Sequence, residues 1–320
     1  MRAIRVSQTG EPSVLKWEEV PDPVAGPGQV MVNVKAVGVN PVDTYIRSGK
    51  YGPVALPYTP GMDAAGEVSA VGEGVKKVKV GDRVYTAGTL TGSYAEKALC
   101  RENQVWPLPG NITFSQGAGL YVPYSTAYRA LFQKAQARAG EVVLVHGASG
   151  GVGIAAVQWG RAAGLKIVGT ASTAEGRELV LREGADGCYN HSESDYLTKA
   201  VAETTDGTGF NVILEMLANV NLDKDLDVAV KWGRIVVIGN RGRVEIDARK
   251  TMGKELTVLG MTLMNAGEDD IASIQSAIFA GLENGNLRPV VRCELPLSDA
   301  PKAHELVMAP GALGKIVMVP

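Results

Sequence analysis

The chain has very little cysteine. Only Cys100, Cys188 and Cys293 occur, an odd number set far apart. Such spacing fits neither a disulfide framework nor a cluster of metal ligands, and a reducing compartment is the simplest setting for it. Long apolar runs are also missing. No window holds the roughly 18 apolar residues that a membrane span requires, and the opening MRAIRVSQTGEPS lacks the apolar stretch of a secretory signal. These absences predict a cytoplasmic protein without a membrane partner. Charge of one sign is lacking too: 32 Lys and Arg against 34 Asp and Glu leave a net charge of −2, so no global field recruits a nucleic-acid backbone or an anionic bilayer. A hydrophobic content of 45% with 21% charged residues excludes disorder.

What the chain has in excess is glycine. The 39 glycines among 320 residues exceed an average share near 7% and fall in clusters between apolar runs, where tight turns and close backbone approaches are expected. The length corresponds to about two domains. Up to residue 122 the texture is all-β, with alternation as in Val30, Val32, Val34 and Ala36 and turn clusters such as PDPVAGPG and VGEGVKK. From Glu141 onward, short Val/Ile/Leu runs alternate with helical stretches, as in a parallel sheet built from βαβ units.

Six strands are predicted there, at 142–146, 166–170, 187–190, 210–215, 234–238 and 256–261, with helices starting near Gly151, Ala174, Asp195 and Leu222. This is the inventory of an α/β, doubly wound parallel six-stranded Rossmann domain. After Met261 come a helix at 269–284, the strand-like VVRCELPL, a short helix at 300–308 and a final KIVMVP. The expected division is therefore 1–122 for a β-rich domain, 123–264 for the nucleotide domain, and 265–320 returning to the first.

The strongest local signal is VVLVHGASGGVGIAAVQWGRAAG, in which a strand feeds Gly147, Gly150, Gly151 and Gly153 and then an apolar helix. Glycines there allow a sharp turn and let backbone N–H groups approach a pyrophosphate, to which the helix N-terminus adds partial positive charge. The spacing is GxxGGVG, not a strict GxGxxG, so its weight comes from the strand and helix that flank it. NAD-preferring sites place a carboxylate at the end of the second strand to hold the ribose 2′-hydroxyl. Here Ser172 stands at that point, with Arg177 a turn further on and His191 past the third strand. Glu175 is the rival acid, but Ser172-Thr173-Ala174-Glu175 reads as a capping box with Ser172 at the N-cap, which turns Glu175 back to its own helix. NADPH is the favoured cofactor.

The segments VGVNPVDTYIRSGKY, LPYTPGMDAAGEV, GDRVYTAGTLTGSYAE, PYSTAYRAL, VLVHGASGGVG and EMLANVNL together resemble the medium-chain dehydrogenase/reductase superfamily, and within it the zinc-free quinone oxidoreductases of zeta-crystallin type. The resemblance spans essentially the whole chain and implies a GroES-like catalytic domain beside the Rossmann domain. Where zinc enzymes of the superfamily have Cys and Gly-His-Glu, this chain has Asn40 and then Met62 with Asp63. Segment 86–103 holds only Cys100 where a structural zinc would take four cysteines. Neither zinc is expected. Lacking a Lewis acid, such an enzyme needs an acceptor that is already electron-poor, such as a quinone or a conjugated enone. The implied activity is NADPH-dependent quinone reduction, by way of a semiquinone in members like zeta-crystallin.

By the same resemblance, Tyr45 lies beside the nicotinamide and Asn40 in the vacated metal corner, with Asp43 and Arg47 orienting that corner and Tyr51 as alternate proton donor. Phenol and amide groups are neutral donors suited to a developing oxyanion. The implied cofactor contacts are Ser149, Gly150, Gly151 and Val152 at the diphosphate, then Ser172, Arg177 and His191 near the 2′-phosphate. They continue with Asn221, Ile238, Gly239, Asn240, Arg241, Met261, Thr262 and Leu263 along the sheet, and Tyr124 is expected to line the interdomain cleft. An enoyl-thioester reductase is the nearest enzymatic rival. A role in binding AU-rich RNA or as a structural crystallin is the rival of another class, and Lys76, Lys77 and Lys79 form its only basic run. The apolar sixth strand, LTVLGM, is suited to edge pairing in a homodimer or homotetramer.

Overall fold

The structure, a computed structural model, describes residues 1–320. It contains two compact units: Met1–Val122 with Gln275–Ala309 and Gly314–Pro320, and Pro123–Ile274 with Pro310–Leu313.

The first unit is built around the ten-residue strand Gln29–Gly38. Its sheet runs Val291–Pro296, Lys315–Val319, Gln29–Gly38, Asp63–Val71, Arg83–Thr86 and Val105–Pro107, and Lys97–Arg101 pairs alongside the central strand. One edge of that strand is shared: Gln29 to Asn33 pair with Lys97–Arg101, and Val37 with Gly38 pair with the C-terminal strand. Val30 and Val32 pack into one core with Val68, Val84 and Val105. Val34 and Val37 pack into another, with Ile4, Tyr94, Leu297, Ile316 and Met318. Cys100 sits in the first of these cores, where burial pushes its thiol up to about 12. It is an inert packing residue.

The second unit holds a wholly parallel sheet in the order Gly187–Tyr189, Lys166–Thr170, Val142–Val145, Phe210–Glu215, Ala229–Val237, Thr257–Gly260. Numbered along the chain this is 3-2-1-4-5-6, the doubly wound order. The strand order reverses between Val142–Val145 and Phe210–Glu215, so ligands bind beyond the C-terminal ends of those two strands. The helices Gly151–Ala162, Ala174–Arg182, Tyr196–Thr204 and Ala218–Val228 connect the strands. Leu144, Ile213 and Ile235 are completely buried between sheet and helices, which is why these strands read as unbroken apolar runs.

Four features differ from the sequence reading. The fifth strand starts at Ala229, five residues early, because an irregularity opposite Phe210 and Val212 absorbs Lys231 to Gly233, with Trp232 at φ 63°. Helix Ala248–Lys254 was not foreseen, since ARKTMGK has no apolar stripe. Polar contacts hold it instead: Asp247 caps Arg249 N, and Lys250 reaches Asp223 and Asp227. Helix Glu268–Glu283 passes from one unit to the other after Ile274, beyond the expected break at residue 264. Finally, Pro310–Leu313 belongs with the nucleotide unit.

Candidate functional site

In the nucleotide unit the glycine turn is built by contact. A Cβ on Gly153 would lie 2.5 Å from Gly147 O and from Ala148 Cα, so only glycine lets the helix start so close to the turn. Gly147 has φ 58°, and its N–H donates to Thr170 Oγ1 at 3.1 Å. Helix Gly151–Ala162 starts at Gly150 with no side-chain cap, leaving the first-turn N–H groups of Gly151 and Val152 for an anion. Buried Ser149 sits just before this turn. The excursion Pro310–Leu313 adds to the cradle, as a Cβ on Gly150 would meet Ala312 Cβ at 3.7 Å and one on Gly311 would meet Thr173 Cγ2 at 3.3 Å. Nothing in the local sequence of this excursion pointed to the phosphate loop.

The end of the second strand corrects one expectation. The N-cap of Ala174–Arg182 is Thr173, whose Oγ1 accepts from Gly176 N at 3.0 Å; Ser172 lies one residue outside the helix. Glu175 is exposed in the first turn and closes no box with Ser172. Arg177 Nη1 donates to Ser172 O at 3.2 Å, so serine and guanidinium are brought together. His191 Nδ1 lies 3.4 Å from Thr170 Oγ1 at the same strand end, and burial, reinforced by His146, holds its imidazole below the usual range.

Along the rest of the sheet, Ile238 N and Gly239 N both bond Glu215 O, and a Cβ on Gly239 would lie 2.2 Å from Met216 O. Exposed Asn240 turns back to Gly242 O, and Arg241 N is held by Asn219 Oδ1. Met261 N bonds Val237 O, and Thr262 leads into the short helix Leu263–Asn265. Tyr124 is 2% exposed, and its hydroxyl lies 2.7 Å from Gln158 Oε1.

The sequence reading missed a buried polar cluster at the switch point. His146 Nε2 lies 2.8 Å from Asp225 Oδ1 and 3.5 Å from Glu215 Oε2, and all three residues are at most 3% exposed. Burial raises the Glu215 carboxyl above its ordinary range. Burial opposes a charged His146, but Asp225 and Glu215 outweigh it and hold the imidazole above its ordinary value. Glu215 Oε1 accepts from Asn221 Nδ2 at 3.3 Å and from Leu217 N, so the cluster orients a predicted cofactor contact. Asn221 belongs to helix Ala218–Val228 and not to the strand end. The three ligand-type atoms lie within 4.8 Å of one another, and Glu215 Oε2 and Asp225 Oδ2 are buried without a hydrogen-bond donor.

In the first unit, Asn40 caps helix Pro41–Arg47, with Pro at N1 and Asp43 Oδ2 accepting from Asn40 N at 2.9 Å. The Asn40 side chain points elsewhere: Nδ2 donates to Asp63 Oδ2 at 3.0 Å, and Oδ1 accepts from Lys315 Nζ at 2.5 Å. Lys315 Nζ also lies 2.9 Å from Asp63 Oδ2, while Asp63 Oδ1 accepts from Val122 N. All three side chains are at most 5% exposed. An ammonium thus bonds Asn40 and Asp63, two of the three side chains that stand where zinc enzymes of the superfamily have Cys and His-Glu. With an amide, a carboxylate and a cation, and neither thiolate nor imidazole, this corner does not fit zinc. Only one Asn40 N–H remains for any ligand.

Asp43 Oδ2 is also 3.3 Å from the hydroxyl of Tyr94, which lies 3.0 Å from His304 Nε2. Burial pushes Asp43 up to about 7, the Asn40 N–H and Lys315 working against it and Asp63 with it. Burial likewise drops His304 to about 3, so its ring is neutral. Beside Asp43 opens a cavity of about 460 Å³, lined also by Arg5, Ile46, Val54, Met62 and Leu90. That volume suits a small ring compound. Tyr45 and Tyr51 do not line it: Tyr45 is half-buried on its helix and Tyr51 is 49% exposed in the segment beyond. Lys76, Lys77 and Lys79 are exposed; Lys77 Nζ sits 3.0 Å above the Trp106 ring, and the backbone N–H groups of Lys76 and Lys77 donate to Glu102.

A nucleotide cradle and a separate corner built on a capped helix define a two-part dehydrogenase or reductase. Comparisons with known proteins agree. Residues 26–110 match the alcohol dehydrogenase GroES-like domain, and residues 151–278 match the zinc-binding dehydrogenase family. A quinone oxidoreductase of Lama guanicoe is 50% identical over 100% of this chain and 97% of its own length. Among solved structures, Escherichia coli quinone oxidoreductase complexed with NADPH is 31% identical, with a TM-score of 0.90 over 100% of both chains. An NAD-dependent alcohol dehydrogenase of 27% identity gives a TM-score of 0.93, again over both whole chains. The chain belongs to the medium-chain dehydrogenase/reductase superfamily, in its branch of zeta-crystallin-type quinone oxidoreductases.

The corner yields a test. Lys315→Met leaves Asp63 charged and buried without its cation, and is expected to destabilise the protein by about 3–5 kcal/mol in urea denaturation. Adding Asp63→Asn recovers part of that loss, because the two sites share one interaction. Additive losses are the contrary result.

Proposed function

We propose that the protein is an NADPH-dependent quinone reductase that works without zinc. The observation that carries this reading is the corner itself: Lys315 fills it with a protein cation, so no metal polarises a substrate and the acceptor has to be electrophilic already. The dinucleotide fits the second unit, where glycine at 153 and 239 lets the backbone of the turn and of the strand end pack closely and the helix after Gly150 is uncapped. When bound, NADPH supplies the electron pair. The residues do the rest. The turn from Ser149 to Val152 holds the diphosphate; Ser172 and Arg177, with His191, hold the 2′-phosphate. Asn221, set by Glu215, and the segments 238–241 and 261–263 hold the remainder of the dinucleotide.

In the first unit the cavity beside Asp43 receives the quinone, and the family resemblance assigns Asn40 and Tyr45 to the reaction, with Tyr51 as alternate proton donor. Reduction to the hydroquinone requires a proton. Asp43 lines the cavity and holds one below about pH 7, where burial disfavours its carboxylate. The groups that face it are Asp63, Lys315, Tyr94 and Tyr58, with neutral His304 behind Tyr94. We further assign the exposed apolar edge strand Thr257–Gly260 to pairing with a second copy in a homodimer or homotetramer, and the protein to the cytoplasm.

The primary test follows NADPH and NADH oxidation with ortho-quinones, para-quinones, an enoyl thioester and a simple alcohol. Turnover is expected with NADPH and quinones and to survive a chelator; metal-dependent alcohol turnover contradicts the reading. Ser172→Asp places a carboxylate against the 2′-phosphate and is expected to reverse the cofactor preference, read as kcat/KM for NADPH over NADH. An unchanged ratio removes Ser172 from that role. For Asp43, kcat with a quinone is expected to fall as pH rises through about 7. Asp43→Asn keeps both acceptor contacts but holds no acidic proton, so it lowers kcat about 10²-fold or more and flattens the profile. A variant that keeps the wild-type profile excludes Asp43 as the proton source.

A further inference from the structure

Arg5 lines the cavity, and the quinone-reductase reading leaves its placement unused. It ends the strand Arg2–Arg5, and the backbone beyond it is fixed, since Val6 N bonds Tyr58 O at 2.9 Å and Tyr58 N bonds Val6 O at 3.1 Å. This pairing holds the Arg5 side chain against segment 57–59, on the wall of the cavity. Its hydrogen bonds there are long and go to neutral acceptors: Nη1 to Thr59 Oγ1 at 3.4 Å and Nη2 to Pro57 O at 3.3 Å. A guanidinium has five N–H donors in a planar fork that matches a carboxylate, sulfonate or phosphate. No carboxylate pairs with this one.

The other walls sharpen the contrast. Ile46, Val54, Met62 and Leu90 are apolar, and Asp43, the only acid lining the space, already gives Oδ2 to Asn40 N and Tyr94. Thr89 Oγ1, on the same cavity, is buried without a partner. The cavity therefore presents apolar walls on one side, an unused hydroxyl and a single cation not neutralised by the chain. An unpaired cation beside a low-dielectric wall attracts an anion more strongly than it would in open water.

We infer that Arg5 makes this cavity selective for quinones that carry an anionic substituent, with the ring on the apolar walls and the anion on the guanidinium. The inference rests on the quinone-reductase reading and specifies its substrate class. A purely mechanical role for Arg5, bracing segment 57–59, is the competing account, and it affects neutral and anionic acceptors alike.

The test compares 1,4-naphthoquinone with 1,4-naphthoquinone-2-sulfonate, read as the ratio of kcat/KM, sulfonate over neutral, in wild type, Arg5→Gln and Arg5→Lys. Taking the ratio between variants cancels the difference in intrinsic reactivity of the two acceptors. Arg5→Gln is expected to lower it about tenfold or more, the scale of a lost charge-assisted hydrogen bond. Arg5→Lys restores part of the ratio, and added salt lowers it in wild type but not in Arg5→Gln. Titration of the enzyme with the sulfonate in the absence of NADPH is expected to show the same loss of affinity. If wild type reduces both quinones and the ratio is the same in Arg5→Gln, the anion selectivity is overturned while the quinone-reductase reading stands. If wild type reduces neither, the underlying reading fails, and equal sulfonate affinity of wild type and Arg5→Gln then overturns the anion site as well.

Discussion

A lysine ammonium shared between a carboxylate and an amide organises the catalytic unit. Lys315, Asp63 and Asn40 are nearly free of solvent, so each depends on the others for compensation. They also come from three places in the chain: the C-terminal strand, the strand Asp63–Val71 and the cap of helix Pro41–Arg47. Removing one member strands the others in a medium that solvates charge poorly. The triad thus ties the C-terminus to the residues around the site and fixes the Asn40 amide. On the function proposed above, this cation stands in the corner where a metal would act and leaves the chemistry to acceptors that are reactive on their own.

The two units handle buried charge in parallel ways. At the switch point of the parallel sheet, His146 sits between Asp225 and Glu215, and Glu215 in turn holds Asn221. In both places a buried ion cluster orients an asparagine, one near the cavity and one near the nucleotide cradle. Unique geometry bought at the expense of desolvation is the feature they share. Asp43 differs in purpose, because its burial without a direct cationic partner keeps a proton on it near neutrality.

Fold alone did not choose the function. A chain with the backbone of an NAD-dependent alcohol dehydrogenase matches as closely in shape as the quinone oxidoreductase does. The proposed determinants are side chains: Lys315 bonded to Asn40 and Asp63 in the first unit, and Ser172 with Arg177 at the end of the second strand of the nucleotide unit. The cavity adds a third level of choice through the placement of Arg5.

Local pattern was enough to read the six parallel strands, the glycine turn and the missing zinc ligands. Strand period, helix period and the steric demands of a turn act over a few residues and are written along the chain. Thus 142–146, 166–170 and 210–215 were legible to within a residue, and so was helix Ala300–Met308. Ser172 was misread as the cap because two adjacent hydroxyl residues offer the same signal, and only the backbone at Thr173 decides between them. Helix Ala248–Lys254 was invisible because its partners, Asp223 and Asp227, lie on another helix. Tertiary structure alone brought Lys315 to Asn40, His146 to Asp225 and Arg5 to the cavity wall. Those pairings join residues as many as 275 positions apart, and a charge buried across such a distance leaves no periodicity in the sequence around it.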